Sequence, residues 1–137
     1  MDSANPVVRL CADGMAGDPT AFQRAWEARV DDFDACIAAH YLARVQPDAQ
    51  ATFEWNARAI EHARLAEPES VREFTPSLHL NLGRSYEDLG DIARAAAEYR
   101  RAEACLDALA DDGYGGLVRT GVTAGLERTA DVASGSY

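Results

Sequence analysis

The sequence contains no lysine, so all thirteen of its basic residues are arginine. Twenty-three acidic residues outweigh them, and the formal net charge is -10 at pH 7. That balance excludes a broad phosphate-binding surface, which needs positive charge, and argues equally against nucleic acid and anionic membranes. No apolar run is long enough to span a bilayer. The opening stretch, MDSANPVVRL, has no basic segment followed by a long apolar one, so no secretory leader is expected and the expected location is cytoplasmic. Cysteine is scarce, and Cys11, Cys36 and Cys105 are odd in number and scattered, which predicts reduced thiols rather than disulfides. There is no His-x3-His or Glu-x2-His spacing among His40, His62 and His79, so no metal and no other cofactor is expected. Arginine as the sole base, with abundant alanine, is the composition of a GC-rich bacterial genome.

What is present is helical patterning. A chain of 137 residues is one domain by size. Its prolines fall mostly between segments of helical period. Val7, Leu10 and Cys11 predict a helix within 4–16, and Gly17-Asp18-Pro19 a turn before a second helix over 20–30. Asp31 and Asp32 cap a helix from Phe33 to Val45, with Phe33, Ile37, Ala38, Tyr41 and Val45 as its apolar stripe. A helix from Asp48 to Glu67 follows, ended by Pro68. The next runs from Glu69 to Leu89, with Pro76 placed at a kink or a restart. Another spans Asp91 to Leu109. Asp111 to Gly116 reads as a loop, which lacks the Lys and Ser/Thr of a phosphate-binding loop. A last helix, Leu117 to Val132, precedes a frayed tail over 134–137.

The most informative stretch is Pro76–Ala102, PSLHLNLGRSYEDLGDIARAAAEYRRA. Leu82-Gly83-x2-Tyr86 sits on one helix, and Ala95-x3-Tyr99 with Ala102 on the next. Small residues at 83, 95 and 102 allow two antiparallel helices to approach closely. This stretch resembles a tetratricopeptide (TPR) repeat, with His79 where the family has Trp and Asp107 where it has Pro. Ile37-Ala38-x2-Tyr41 falls on the same frame, and WNARAIEHARLAEP is similar to the second helix of a longer variant. DFDACIAAHYLARVQ and PSLHLNLGRSYEDLG together resemble small actinobacterial TPR proteins of unassigned role. The resemblance implies a single all-α domain over 1–137: antiparallel hairpins stacked as a short right-handed array. Its parts would be a degenerate first hairpin over 4–30, a second over 31–68, the best-matching one over 69–110, and a capping helix over 117–132.

A TPR groove usually holds a protein or peptide segment. Its groove-facing positions fall here on Ser77, Leu80, Asn81, Arg84, Glu87 and Asp88. Asn81 stands where clamps for a peptide carboxylate place an Asn, and Arg84 could add a bidentate donor. The preceding hairpin lacks the Lys and second Asn of such clamps. The expected function is therefore a non-catalytic scaffold or adaptor, with a basic or mixed partner segment favoured by charge. Self-association into a homodimer is a second expectation, because short arrays expose apolar ends. The rival reading is a small-molecule binder or enzyme of a bacterial biosynthetic pathway, with a pocket among His40, Arg44, Trp55, Asn56 and His79. Cys36 and His40, one helical turn apart, offer a nucleophile and base on paper, but no oxyanion donor accompanies them.

Overall fold

The computed structural model, described over residues 4–130, is all-α, with no strand among those residues. Its helices are α1 (Pro6–Met15), α2 (Ala21–Glu27), α3 (Asp32–Leu42), α4 (Ala49–Leu65), α5 (Pro68–Val71), α6 (Thr75–Asp88), α7 (Ile92–Ala104) and α8 (Gly113–Arg128). Short 3-10 turns extend α3 over Ala43–Val45 and follow α7 over Leu106–Ala108. Five helices begin on a side chain that accepts an early amide: Asn5, Asp31, Asp48, Asp91 and Asp112 cap α1, α3, α4, α7 and α8. Each such cap satisfies a donor that the helix cannot satisfy itself and contributes about 1 kcal/mol. The contacts divide the chain into two units, Met1–Val71 and Arg72–Tyr137.

In the first unit, Gly17 adopts φ +116° and closes α1. The amides of Gly17 and Asp18 donate back to the Gly14 and Asp13 carbonyls, the double bond of a left-handed glycine cap. A Cβ at Gly14 would lie 2.2 Å from the Phe22 ring, so the absent side chain is what lets α2 settle on α1. Phe22 in turn stacks on Tyr41, ring centroids 5.5 Å apart. The α3 segment differs from the expected stripe. Every residue from Asp34 to Ala39 is buried, while Phe33 and Tyr41 are half-buried and Val45 is exposed. An apolar, alanine-rich helix is enclosed on all sides rather than along one face.

Asp34 is the one charged residue in that enclosed run. Its carboxylate accepts from Asn5 Nδ2 at 2.8 Å and from the Val30 amide at 3.1 Å. Asn5 accepts from the Val7 amide with its other atom, so one side chain both caps α1 and fastens it to α3.

The boundary of the second unit, at Arg72, falls in a break between α5, the last helix of the first unit, and α6. In place of one helix from Glu69 to Leu89, there is the single turn α5, an interruption, and a restart at Thr75. Pro68 begins α5 rather than merely ending α4. Pro76 occupies the first turn of α6, where its missing N–H has no intrahelical partner to lose. Gly90, at φ +85°, closes α6, with its amide on the Glu87 carbonyl and the Asp91 amide on that of Tyr86. The Gly17-Asp18 cap is thus repeated at Gly90-Asp91, and α6 and α7 form a tight hairpin.

Tyr99 is wholly buried at the centre of this unit. A Cβ at Gly83 or at Gly125 would lie 2.6 Å from its ring, so α6 and α8 close on the two glycines with the ring between. Ala95, Ala102, Leu80, Val118 and Val122 complete the core.

The stretch over 113–116 is not the expected loop. Asp112 accepts from the Gly115 amide at 2.8 Å and starts α8 at Gly113. Arg119 fastens the preceding turn through the carbonyls of Leu106, Leu109 and Ala110. The last helix therefore begins four residues earlier than expected. Positions 131–132 and the tail over 134–137 lie outside the described residues.

Three substitutions test this packing. Asp34→Ala is expected to lower the unfolding free energy by about 2 kcal/mol, because it strands two donors. Urea denaturation measures it, and an unchanged midpoint would remove Asp34 from the structural core. Gly125→Ala should cost about 1–3 kcal/mol by overpacking against Tyr99. Gly116→Ala, where an added Cβ meets nothing within 4 Å, should instead stabilise by about 0.5 kcal/mol. Opposite signs at two glycines of one helix isolate packing from propensity.

Candidate functional site

The six groove residues expected on α6 do lie along one helix, but four of them touch or lean on α8. The Ser77 hydroxyl hydrogen-bonds the Tyr114 hydroxyl. Leu80 is 3% exposed, packed in the core with Val118 and Val122. Arg84 is exposed, and its guanidinium lies against Gly121, where a Cβ would sit 2.8 Å from Nη2. Glu87 receives the Tyr99 hydroxyl and two nitrogens of Arg128, Nη2 at 2.9 Å and Nε at 3.1 Å. The Arg128 hydrogen bonds come first in holding the Glu87 carboxyl below its usual range. Asn81 is half-buried and Asp88 exposed. With Arg84 they form the polar strip of α6 that remains at the surface.

The alternative pocket residues divide between the units. In the first, His40 is half-buried against Tyr41, with ring centroids 5.2 Å apart, and Arg44 lies 6.0 Å from the Tyr41 ring centre. Asn56 is buried, while Trp55 meets Trp26 edge-on. His79 belongs to the second unit, where its Nδ1 hydrogen-bonds Glu98 Oε2 at 2.8 Å. Glu98 also receives Arg101 at 2.7 Å and is 4% exposed, so it ties α6 to α7. Three surface clefts, of about 380, 350 and 480 Å³, are lined by none of these five residues.

Electrostatics bear on nucleophilic chemistry. Burial pushes the Cys36 and Cys11 thiols up to about 12, so both are protonated at neutral pH. His40 is lowered to about 4, first by burial and then by the Arg44 charge. The Cys36–His40 turn is therefore a neutral thiol beside a neutral imidazole. Among the described residues, no three His, Cys, Asp or Glu side chains gather as a metal-ligand set, and no helix is long and apolar enough to cross a membrane.

One cluster went unread in the sequence. Trp26 and Trp55 meet edge-to-face, with ring centroids 5.0 Å apart, and each carries a guanidinium on its ring. Arg29 lies 3.9 Å over Trp26 and Arg58 lies 4.4 Å over Trp55. His62 approaches the Trp26 ring and hydrogen-bonds Asp32 at 2.9 Å. The signal was a repeated tetrapeptide, Trp-x-Ala-Arg, at 26–29 and again at 55–58. Helical spacing alone does not show what covers a face, so the pairing of the two rings lies beyond it.

Searches against protein-family models, curated proteins and solved structures found no significant match to this chain.

The depressed His40 sets a pH dependence. Its folded pKa, about 4, lies below the ordinary value of 6.5, so the unfolded state takes up the proton first. Stability owed to neutral His40 is present above pH 6.5 and is lost as the pH falls toward 4. His40→Gln should flatten that part of the profile in thermal unfolding followed from pH 7 to pH 4. A variant as pH-dependent as the wild type would show that His40 is not responsible.

Proposed function

We propose that this chain is a non-catalytic helical interaction module, tetratricopeptide-like in its hairpins, that holds a protein or peptide segment against α6. In this reading the hairpins stack as a short right-handed array and α8 serves as the capping helix. The protein acts in the cytoplasm as a scaffold or adaptor. The observation that carries the reading is the polar strip Asn81, Arg84 and Asp88. It runs along α6 beside α8, on a helix whose other faces are consumed by packing. Ser77, Leu80 and Glu87 then build the wall of the groove rather than contact the partner. Arg84 is the natural anchor for a carboxylate or carbonyl, and Asp88 for a basic residue, which suits a mixed partner segment.

Support also comes from the Gly83–Tyr99–Gly125 contact, which uses small residues to bring successive helices together as the repeat frame requires. The protonated thiols and neutral His40 give the enzyme reading no activated group.

Affinity capture from the native lysate, comparing wild type with an Asn81→Ala/Arg84→Ala variant, tests the assignment. One protein enriched by wild type and lost with the variant is expected. Equal enrichment by both, with both folded by circular dichroism, would move the partner off α6.

A further inference from the structure

We infer that the paired Trp-x-Ala-Arg segments form a second interaction surface, on the first unit, that receives an acidic peptide segment. The surface stands independently of the α6 strip.

Arg29 and Arg58 are both exposed. Among the described residues neither forms an ion pair, although Glu54 stands one turn before Arg58 on α4. The energetics of the alternatives explain this. An exposed ion pair at that spacing contributes about 0.3–0.5 kcal/mol, and a guanidinium on an indole face about 0.5–1 kcal/mol. Each guanidinium carbon therefore sits over its tryptophan ring, a contact that in itself uses no hydrogen-bond acceptor. Arg29 donates one N–H to the Trp26 carbonyl at 2.7 Å, and among the described residues the other N–H groups of Arg29 and those of Arg58 meet no acceptor.

Two pre-positioned guanidinium groups on an aromatic base match the planar geometry of carboxylates, which they can grip bidentately. Stacking also removes much of the rotamer entropy that a free arginine loses on binding. Tryptophan and arginine are the residue types most enriched where binding energy concentrates. The occupant is fixed by charge. The nearby Asp32 carboxylate is engaged by His62, while the exposed Glu27 and Glu54, next to Trp26 and Trp55 in sequence, form no ion pair among the described residues, so an acidic segment has to meet the donor edges of the two arginines directly. The net charge of -10 opposes an acidic segment. At physiological ionic strength that repulsion is screened beyond about 8 Å, so the contacting arginines decide the outcome.

Trp26 and Trp55 are the only tryptophans in the chain, so intrinsic tryptophan fluorescence reads this surface alone. The full chain is titrated with a ten-residue glutamate peptide at 0.15 M salt, and in parallel with a ten-residue lysine peptide and with inorganic phosphate. A saturable change in tryptophan emission with the glutamate peptide only is expected. Arg29→Gln/Arg58→Gln should weaken it at least about tenfold, while the far-ultraviolet circular dichroism at the titration temperature stays unchanged. An Arg29→Lys/Arg58→Lys variant keeps the charge but not the fork, and should recover only part of the affinity. No saturable change, an equal response to the lysine peptide, or saturation by phosphate alone would each overturn the proposal. So would concentration-dependent dimerisation lost in the glutamine variant, which would assign the surface to a second copy of the chain.

Discussion

The second unit rests on one aromatic ring. Tyr99 has no exposure, yet it carries a hydroxyl that must be satisfied, and the unit is arranged around meeting both demands. Glycines on two different helices make room for the ring faces, Glu87 accepts from the hydroxyl, and Arg128 donates to its oxygen. Burial comes first and the Glu87 hydrogen bond second in pushing the phenol up to about 12, so it stays a donor across the physiological range. The contact joins three helices at a single residue. A smaller ring would leave a void between α6 and α8, and a side chain at either glycine would push the helices apart.

The first unit answers a similar problem with a polar group. Its α3 is too uniformly apolar for the pattern to say which face turns where, since almost every face is buried. Asp34 supplies orientation instead: a buried carboxylate has to find its donors, and Asn5 and Val30 provide them in one geometry. In both units a satisfied polar atom inside an alanine- and glycine-rich core specifies what bulk hydrophobicity leaves open.

Much of this was legible in the chain. The Asp31 cap, the two Gly-Asp turns and the Leu82-Gly83…Tyr86 and Ala95…Tyr99 spacings are local signals, and the helices they announce are present. The start of α8 was hidden because Gly113 to Gly116 has loop composition, whereas the deciding features are the Asp112 cap and the reach of Arg119. The candidate site was legible only as a helix face. Which of its residues remain open depends on Arg128 and Tyr114, 41 and 37 positions from their partners Glu87 and Ser77, a separation that no local pattern encodes. The tryptophan–arginine cluster had a written signature, but a repeated tetrapeptide acquires meaning only once α2 and α4 bring its copies together.

The glycines of α8 carry one more consequence. Five of its sixteen residues are glycine, each costing a helix about 0.5–1 kcal/mol relative to alanine. The same absence of side chains that admits Tyr99 leaves α8 with little helical tendency of its own. Its backbone order is borrowed from the hairpin beneath it, so helix formation and docking are a single cooperative event. Whatever loosens α8 from Tyr99 also dissolves its helix, and Ser77, Leu80 and Glu87 change from buried structure to available surface in the same step.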